Sequence, residues 1–166
     1  YLLHWRGNVP LAETVAGFEA LRTRGLIRRW GVSNFDVDDL RELGDADCAA
    51  NQVYFSLGAR GPEFDLLPWQ RERRLPLMAY SPLDVGALAN HRGLRGVAGA
   101  HAATPAQIAL AWVLHQPGVL AIPKAAQPRH LKLNWAASKI RLTADDLADL
   151  DRAFPPPRRK VALAMR

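Results

Sequence analysis

Residues 30–40 read Trp30-Gly31-Val32-Ser33-Asn34-Phe35-Asp36-Val37-Asp38-Asp39-Leu40, and residues 51–55 read Asn51-Gln52-Val53-Tyr54-Phe55. The short apolar run Trp30 to Ser33 has the length and bulk of a buried strand. Asp36 then opens a helix with further acids in its first turn, where the positive end of the helix dipole favours them. Gln52 to Phe55 is a second short apolar run. Strand, helix and strand within the span of one crossover connection is the repeating unit of a parallel sheet covered by helices.

The same alternation extends outward in both directions. Upstream, Tyr1 to His4 reads as a strand, and Asn8 and Pro10 open a helix with Leu11, Val15, Phe18 and Leu21 at helical spacing. Gly25 is a natural stop for that helix. Downstream, Gly58, Gly61 and Pro62 mark a loop, a short helix covers Pro68 to Arg74, and Leu77 to Tyr80 is a strand closed by Ser81-Pro82. Asp84 to Ala103 is rich in Gly, Ala and His without clear periodicity, which reads as a long functional loop, for example a lid. Thr104-Pro105-Ala106-Gln107 is a capping box with proline at the first helical position. Val119 to Ile122 is a fifth strand, followed by helices at Pro128 to Ser138 and Thr143 to Ala153; Pro155-Pro156-Pro157 ends the second.

Two α/β folds fit this order: an open doubly wound sheet and a (β/α)8 barrel of the TIM type. The first would carry a glycine-rich phosphate turn after its opening strand, and no G-x-G-x-x-G follows any strand here. The barrel is therefore expected, represented by about five strands with their helices. The chain opens on an apolar strand with no lead-in, so residues 1–166 are expected to be the C-terminal part of a longer domain whose first strands precede them.

Composition sets bounds on the function. Hydrophobic residues make up 49% and charged residues 23% of 166 residues, an ordinary globular balance. The single cysteine, Cys48, forms no internal disulfide and rules out a zinc site built from several thiolates. No metal site is expected, and a reduced cytoplasmic compartment is the expected location. No apolar run approaches the roughly 20 residues of a membrane span. The net charge of +6 is scattered in short clusters at Arg28-Arg29, Arg71 to Arg74 and Arg158 to Lys160. It forms no basic stripe interleaved with aromatics, so neither nucleic acid nor membrane is expected as a partner, and the charge equally suits an anionic small molecule. The oligomeric state is not readable.

In a barrel, chemistry lies at the C-terminal ends of the strands. Informative residues recur at those ends: His4, Ser33-Asn34, Asn51-Gln52, Tyr80-Ser81 and Pro123-Lys124. Taken singly, each has a plain structural reading. His4 reads as a histidine satisfied by a backbone carbonyl, Asn34 as a helix cap, Gln52 as a strand-end donor, Tyr80 as core, and Lys124 as an exposed lysine. Together they describe a site: a proton carrier or carbonyl polariser at His4, amide-holding groups at Ser33, Asn34 and Gln52, a stacking ring at Tyr80, and a phosphate partner at Lys124 ahead of a helix.

Five segments in order, Leu3-His4-Trp5, Gly31-Val32-Ser33-Asn34-Phe35, Asn51-Gln52-Val53-Tyr54, Ala79-Tyr80-Ser81-Pro82-Leu83 and Ile122-Pro123-Lys124, resemble the signature segments of the aldo-keto reductase family, and most closely its bacterial members that reduce small aldehydes and ketoaldehydes. The resemblance implies NADPH-dependent reduction of a small carbonyl compound to an alcohol by hydride transfer. It implies that His4 orients the substrate carbonyl and that Trp5 lines the substrate pocket. Ser33, Asn34 and Gln52 would hold the nicotinamide carboxamide, with Tyr80 stacked on its ring. Ser81 and Leu83 would lie along the pyrophosphate, Lys124 at the 2′-phosphate and Asn134 near the adenine, with the loop from Asp84 passing over the cofactor. Two positions depart from the family pattern: Ala125 follows the lysine where a hydroxyl residue is usual, and His130 stands where arginine is common. NADH is therefore possible beside NADPH. The family's catalytic Tyr, Lys and Asp belong to strands preceding this sequence, so the chain alone is expected to be weakly active or inactive. The alternative is a non-catalytic nucleotide-binding subunit.

Overall fold

The computed structural model describes residues 1–165. Its centre is a five-stranded, wholly parallel sheet: β1 (Leu2–Leu3), β2 (Gly31–Ser33), β3 (Asn51–Tyr54), β4 (Leu77–Tyr80) and β5 (Val119–Ala121), each paired with the next in sequence. Helices α1 (Leu11–Thr23), α2 (Val37–Leu43), α3 (Leu66–Glu72), α4 (Arg95–Ala100), α5 (Pro105–His115), α6 (Pro128–Ala137) and α7 (Ala144–Ala153) fill the connections and the C-terminal region. Strand order equal to sequence order is what repeated βα units produce when each crossover lands beside its predecessor.

Side chains alternate across the sheet, and the two faces differ. Val32, Val53, Leu77, Ala79 and Val119 point into the core with Leu40, Leu66, Ile108 and Trp112 from the helices. On the other face Gln52, Met78 and Leu120 stand in register across three strands, and Leu120 is 54% exposed. The expected elements appear with shifted ends. β3 begins one residue earlier, at the fully buried Asn51, so Gln52 sits inside the strand, level with Ser33, and Tyr54 ends it. β1 and β5 are shorter than their apolar runs, and α3 starts at Leu66.

The region expected as an irregular lid, Asp84 to Ala103, is folded. Two 3₁₀ turns, Asp84–Asn90 and Arg92–Leu94, lead into α4. Leu88, Leu94, Val97 and Ala98 are buried in the main core. The segment lacks periodicity because its apolar residues serve three short elements in place of one helix face.

Caps define the helix starts. Thr104 with Gln107 and Thr143 with Asp146 form reciprocal capping boxes at α5 and α7. Asp146 also meets His101 Nε2 at 2.8 Å, tying α7 to the end of α4. Burial pushes the Asp146 carboxyl up, but hydrogen bonds from the Thr143 backbone, His101 and the Thr143 hydroxyl outweigh it and hold it below its ordinary value of 3.8. A carboxyl lowered in the folded state adds stability above its unfolded value, and that stability is lost as pH falls through the folded value. Asp146→Asn is therefore expected to lower stability at neutral pH and to flatten the loss of stability below about pH 4. Urea midpoints measured from pH 7 to pH 2 check this, and parallel curves for the two proteins would contradict it.

A buried cation fastens the C-terminal region. Arg60 is 8% exposed and bonds Glu63 at 2.7 Å and Asp151 of α7 at 2.8 Å, with its guanidinium 4.8 Å from the Trp112 ring centroid. Farther along, the Lys160 ammonium lies 3.4 Å from Asp38 and 3.5 Å from Asp65. No single helix among the described residues is long and apolar enough to cross a membrane.

Candidate functional site

Parallel strands deliver all their carboxyl ends to one edge of the sheet, and polar side chains gather there. Asn34, directly after β2, adopts the left-handed conformation (φ 61°), which asparagine tolerates better than most residues. Its N–H donates to Gln52 O at 2.8 Å. The next residue is held as well: Asn51 Nδ2 donates to Phe35 O at 2.9 Å, and Phe35 N donates to Asn51 Oδ1 at 3.4 Å. The Asn34 amide is thereby presented at the strand end. It accepts from the Tyr80 hydroxyl at 3.1 Å and donates to Ser33 Oγ at 3.2 Å, while Ser33 Oγ donates to Gln52 O at 2.9 Å. The ends of β2 and β4 are thus joined across β3.

Tyr80 is half-buried and stacks on Tyr54, ring centroids 5.5 Å apart with planes 17° from parallel. The Tyr54 hydroxyl bonds the Asp84 carboxylate. After Tyr80 the backbone is repeatedly left-handed, at Ser81 (φ 49°), Asp84 (φ 51°), Val85 (φ 53°) and Gly86 (φ 93°). Such strain in a β-branched residue persists only where the surroundings enforce it, and it concentrates at ligand sites. The strained turn and the segment after β5 form two walls of one cleft of about 370 Å³, lined by Ser81, Leu83, Val85, Gly86, Ile122 and Lys124 among others.

The sequence-predicted residues fall into three groups. Ser33, Asn34, Gln52 and Tyr80 form one hydrogen-bonded cluster, in which Gln52 contributes its backbone carbonyl while its side chain projects from mid-strand. Ser81, Leu83 and Lys124 share the cleft, where Lys124 is exposed. His4 and the 44%-exposed Trp5 follow β1 at the far edge of the sheet, rings 5.4 Å apart and edge-on. Arg6 braces their segment on α2 through Asp39 at 2.8 Å. His130 and Asn134 lie on α6 and are not among the residues lining the cleft. Sequence reasoning gave Tyr54 and Asp84 no role of their own, Tyr54 being absorbed into an apolar run and Asp84 into a loop; Asn51 was noted as a polar strand-end residue but not as the partner of Phe35.

The sequence matches the Aldo/keto reductase family over residues 1–154. The chain belongs to this family. It is 48% identical to methylglyoxal reductase YeaE of Escherichia coli (strain K12), over 99% of this chain and 61% of that protein. It is 33% identical to an aldo-keto reductase of Mycobacterium sp. (strain JLS), over 95% of this chain and 60% of the relative. The crystal structure of an aldo-keto reductase from Klebsiella pneumoniae in complex with NADPH superposes with a TM-score of 0.96 at 50% identity, covering 100% of this chain and 62% of that one. The chain thus spans about three-fifths of the length of these relatives, and its parallel sheet corresponds to part of the family's (β/α)8 barrel.

Proposed function

We propose that the strand-end cluster and the adjoining cleft bind a nicotinamide nucleotide, NADPH first, as part of a carbonyl reductase site. The observation that carries the reading is the hydrogen bond between Tyr80 and Asn34, which sets a planar aromatic ring and a side-chain amide side by side. A nicotinamide needs both: a flat surface for its ring and an amide partner for its carboxamide. The cleft beyond Ser81 has the volume for the phosphate-bearing part of a dinucleotide and a cation, Lys124, on one wall. The residues present therefore fit the group, and the Klebsiella relative was solved with NADPH.

On this reading Asn34 and Ser33 orient the carboxamide, with the Gln52 carbonyl fixing the Ser33 hydroxyl, and Tyr80 supplies the platform. Ser81 and Leu83 lie along the pyrophosphate, and Lys124 pairs with the 2′-phosphate. His130 and Asn134 on α6 would meet the adenosine end. Ala125 has no hydroxyl to add to Lys124, which leaves NADH as a weaker ligand. When bound, the nicotinamide supplies the hydride. His4 donates a hydrogen bond to the substrate oxygen, and Trp5 walls the substrate. The substrate class is a small aldehyde or ketoaldehyde, in line with the name of the Escherichia coli relative.

The proton donor expected of the family is a tyrosine beside a lysine. Tyr54 and Tyr80 do not serve here, since their hydroxyls are committed to Asp84 and Asn34, and Tyr1 precedes β1, away from the carboxyl ends of the strands. Binding and turnover are therefore expected to separate. NADPH should quench the tryptophan fluorescence of this chain at concentrations below about 1 mM, while reduction of methylglyoxal by the chain alone should be slow or undetectable. Absence of quenching at about 1 mM NADPH would overturn the cofactor reading. Rapid methylglyoxal turnover would overturn the separation and assign a proton donor within these residues.

A further inference from the structure

Tyr54 and Asp84 lie 30 residues apart and meet at the rim of the site through the Tyr54 hydroxyl. Two further observations show that the surroundings are shaped for this contact. Asp84 opens a run of left-handed residues, and its N–H donates to Ser81 O at 2.9 Å, so its carboxylate sits at the head of the turn that forms one wall of the cleft. Gly58, in the loop after β3, has no left-handed backbone to explain a glycine, yet a Cβ there would fall 2.5 Å from Asp84 Oδ2. Glycine at 58 makes room for the Asp84 carboxylate.

We infer that Tyr54 and Asp84 are a positioning pair: the Tyr54 ring sets the plane of Tyr80, and its hydroxyl anchors the head of the 84–90 turn, so the nicotinamide platform and the Ser81–Leu83 phosphate turn are held as one body. The inference rests on the nicotinamide reading above. It assigns Tyr54 no contact with substrate or cofactor; it acts through Tyr80 on one side and Asp84 on the other. The strain of three consecutive left-handed residues is then retained by a tether from β3, a rigid element, and does not depend on the turn alone.

The test uses four variants of the full chain, Tyr54→Phe, Tyr54→Leu, Asp84→Asn and Gly58→Ala. Its probes are NADPH and 2′-phospho-ADP-ribose, which lacks the nicotinamide. Tyr54→Phe, Asp84→Asn and Gly58→Ala keep the stacked rings and disturb only the anchor. They are expected to speed amide hydrogen exchange across residues 84–90 and to weaken both probes alike, by about 2–5-fold. Tyr54→Leu removes the ring too, and should weaken NADPH by about tenfold while 2′-phospho-ADP-ribose falls no further than in Tyr54→Phe. The gap between the two probes, rescued by phenylalanine, is a signature that general loss of stability does not produce. Failure of the wild-type chain to bind either probe would defeat the cofactor reading and this inference with it. Wild-type binding with unchanged exchange and affinities in all four variants would defeat the positioning role alone.

Discussion

Truncating Trp112 to alanine is expected to remove about 3–5 kcal/mol of unfolding free energy, a large share of the roughly 5–15 kcal/mol typical of a domain. Trp112 lies on α5 at 1% exposure, with its ring 5.4 Å from Phe55 and under the Arg60 guanidinium. Removing it opens a cavity between the helix layer and the end of β3, and uncovers a buried cation, leaving its bonds to Glu63, Asp151 and the Phe154 carbonyl to offset its desolvation. Trp135→Ala supplies the control: Trp135 is 72% exposed on α6, and its loss should change stability by no more than about 0.5 kcal/mol. Urea denaturation followed by circular dichroism measures both. A Trp112→Ala loss under about 1.5 kcal/mol would mean that the core closes around the gap and that Arg60 does not depend on the ring.

The second large effect concerns the cofactor. Lys124→Ala should weaken NADPH about tenfold and NADH by less than about twofold. A charge-assisted bond to phosphate is worth about 1.5–3 kcal/mol, and the exposure of Lys124 puts its contribution at the low end. The effect must shrink as salt is raised, because the pair is solvated and screened. Fluorescence titrations with both nucleotides at low and high salt read this directly. Equal weakening of NADPH and NADH would show that Lys124 shapes the cleft and does not read the 2′-phosphate.

Much of this architecture was legible before any coordinates, because its causes are local. Thr104-Pro105 with Gln107 announces a helix start through its own hydrogen bonds, and that box is present. The alternation of short apolar runs with helical stretches is enough to give five parallel strands, and the ordered polar strand ends pointed to Asn34, Tyr80, Ser81 and Lys124. What escaped detection depends on distant partners. Asn51 looks like a polar lead-in to a strand until Phe35 and Gln70 are seen around it. The 84–100 segment hides because Leu88, Leu94 and Val97 are buried by α5 and α7 and not by a face of their own. Tyr54 and Asp84 carry no local signal: their meeting depends on β3 and β4 being neighbours and on glycine at 58.

The side chain of Asn51 impersonates a peptide group. Its amide offers Phe35 both an acceptor and a donor, as a neighbouring strand would, so the sheet continues for one rung past the end of β2, on the bend that carries Asn34. That bend is consequently set before any ligand arrives, and asparagine at 34 holds two offices at once, one conformational and one chemical. Alanine in that place would forfeit both together. Glycine would keep the bend and surrender only the amide, which makes Asn34→Gly the substitution able to tell the two apart.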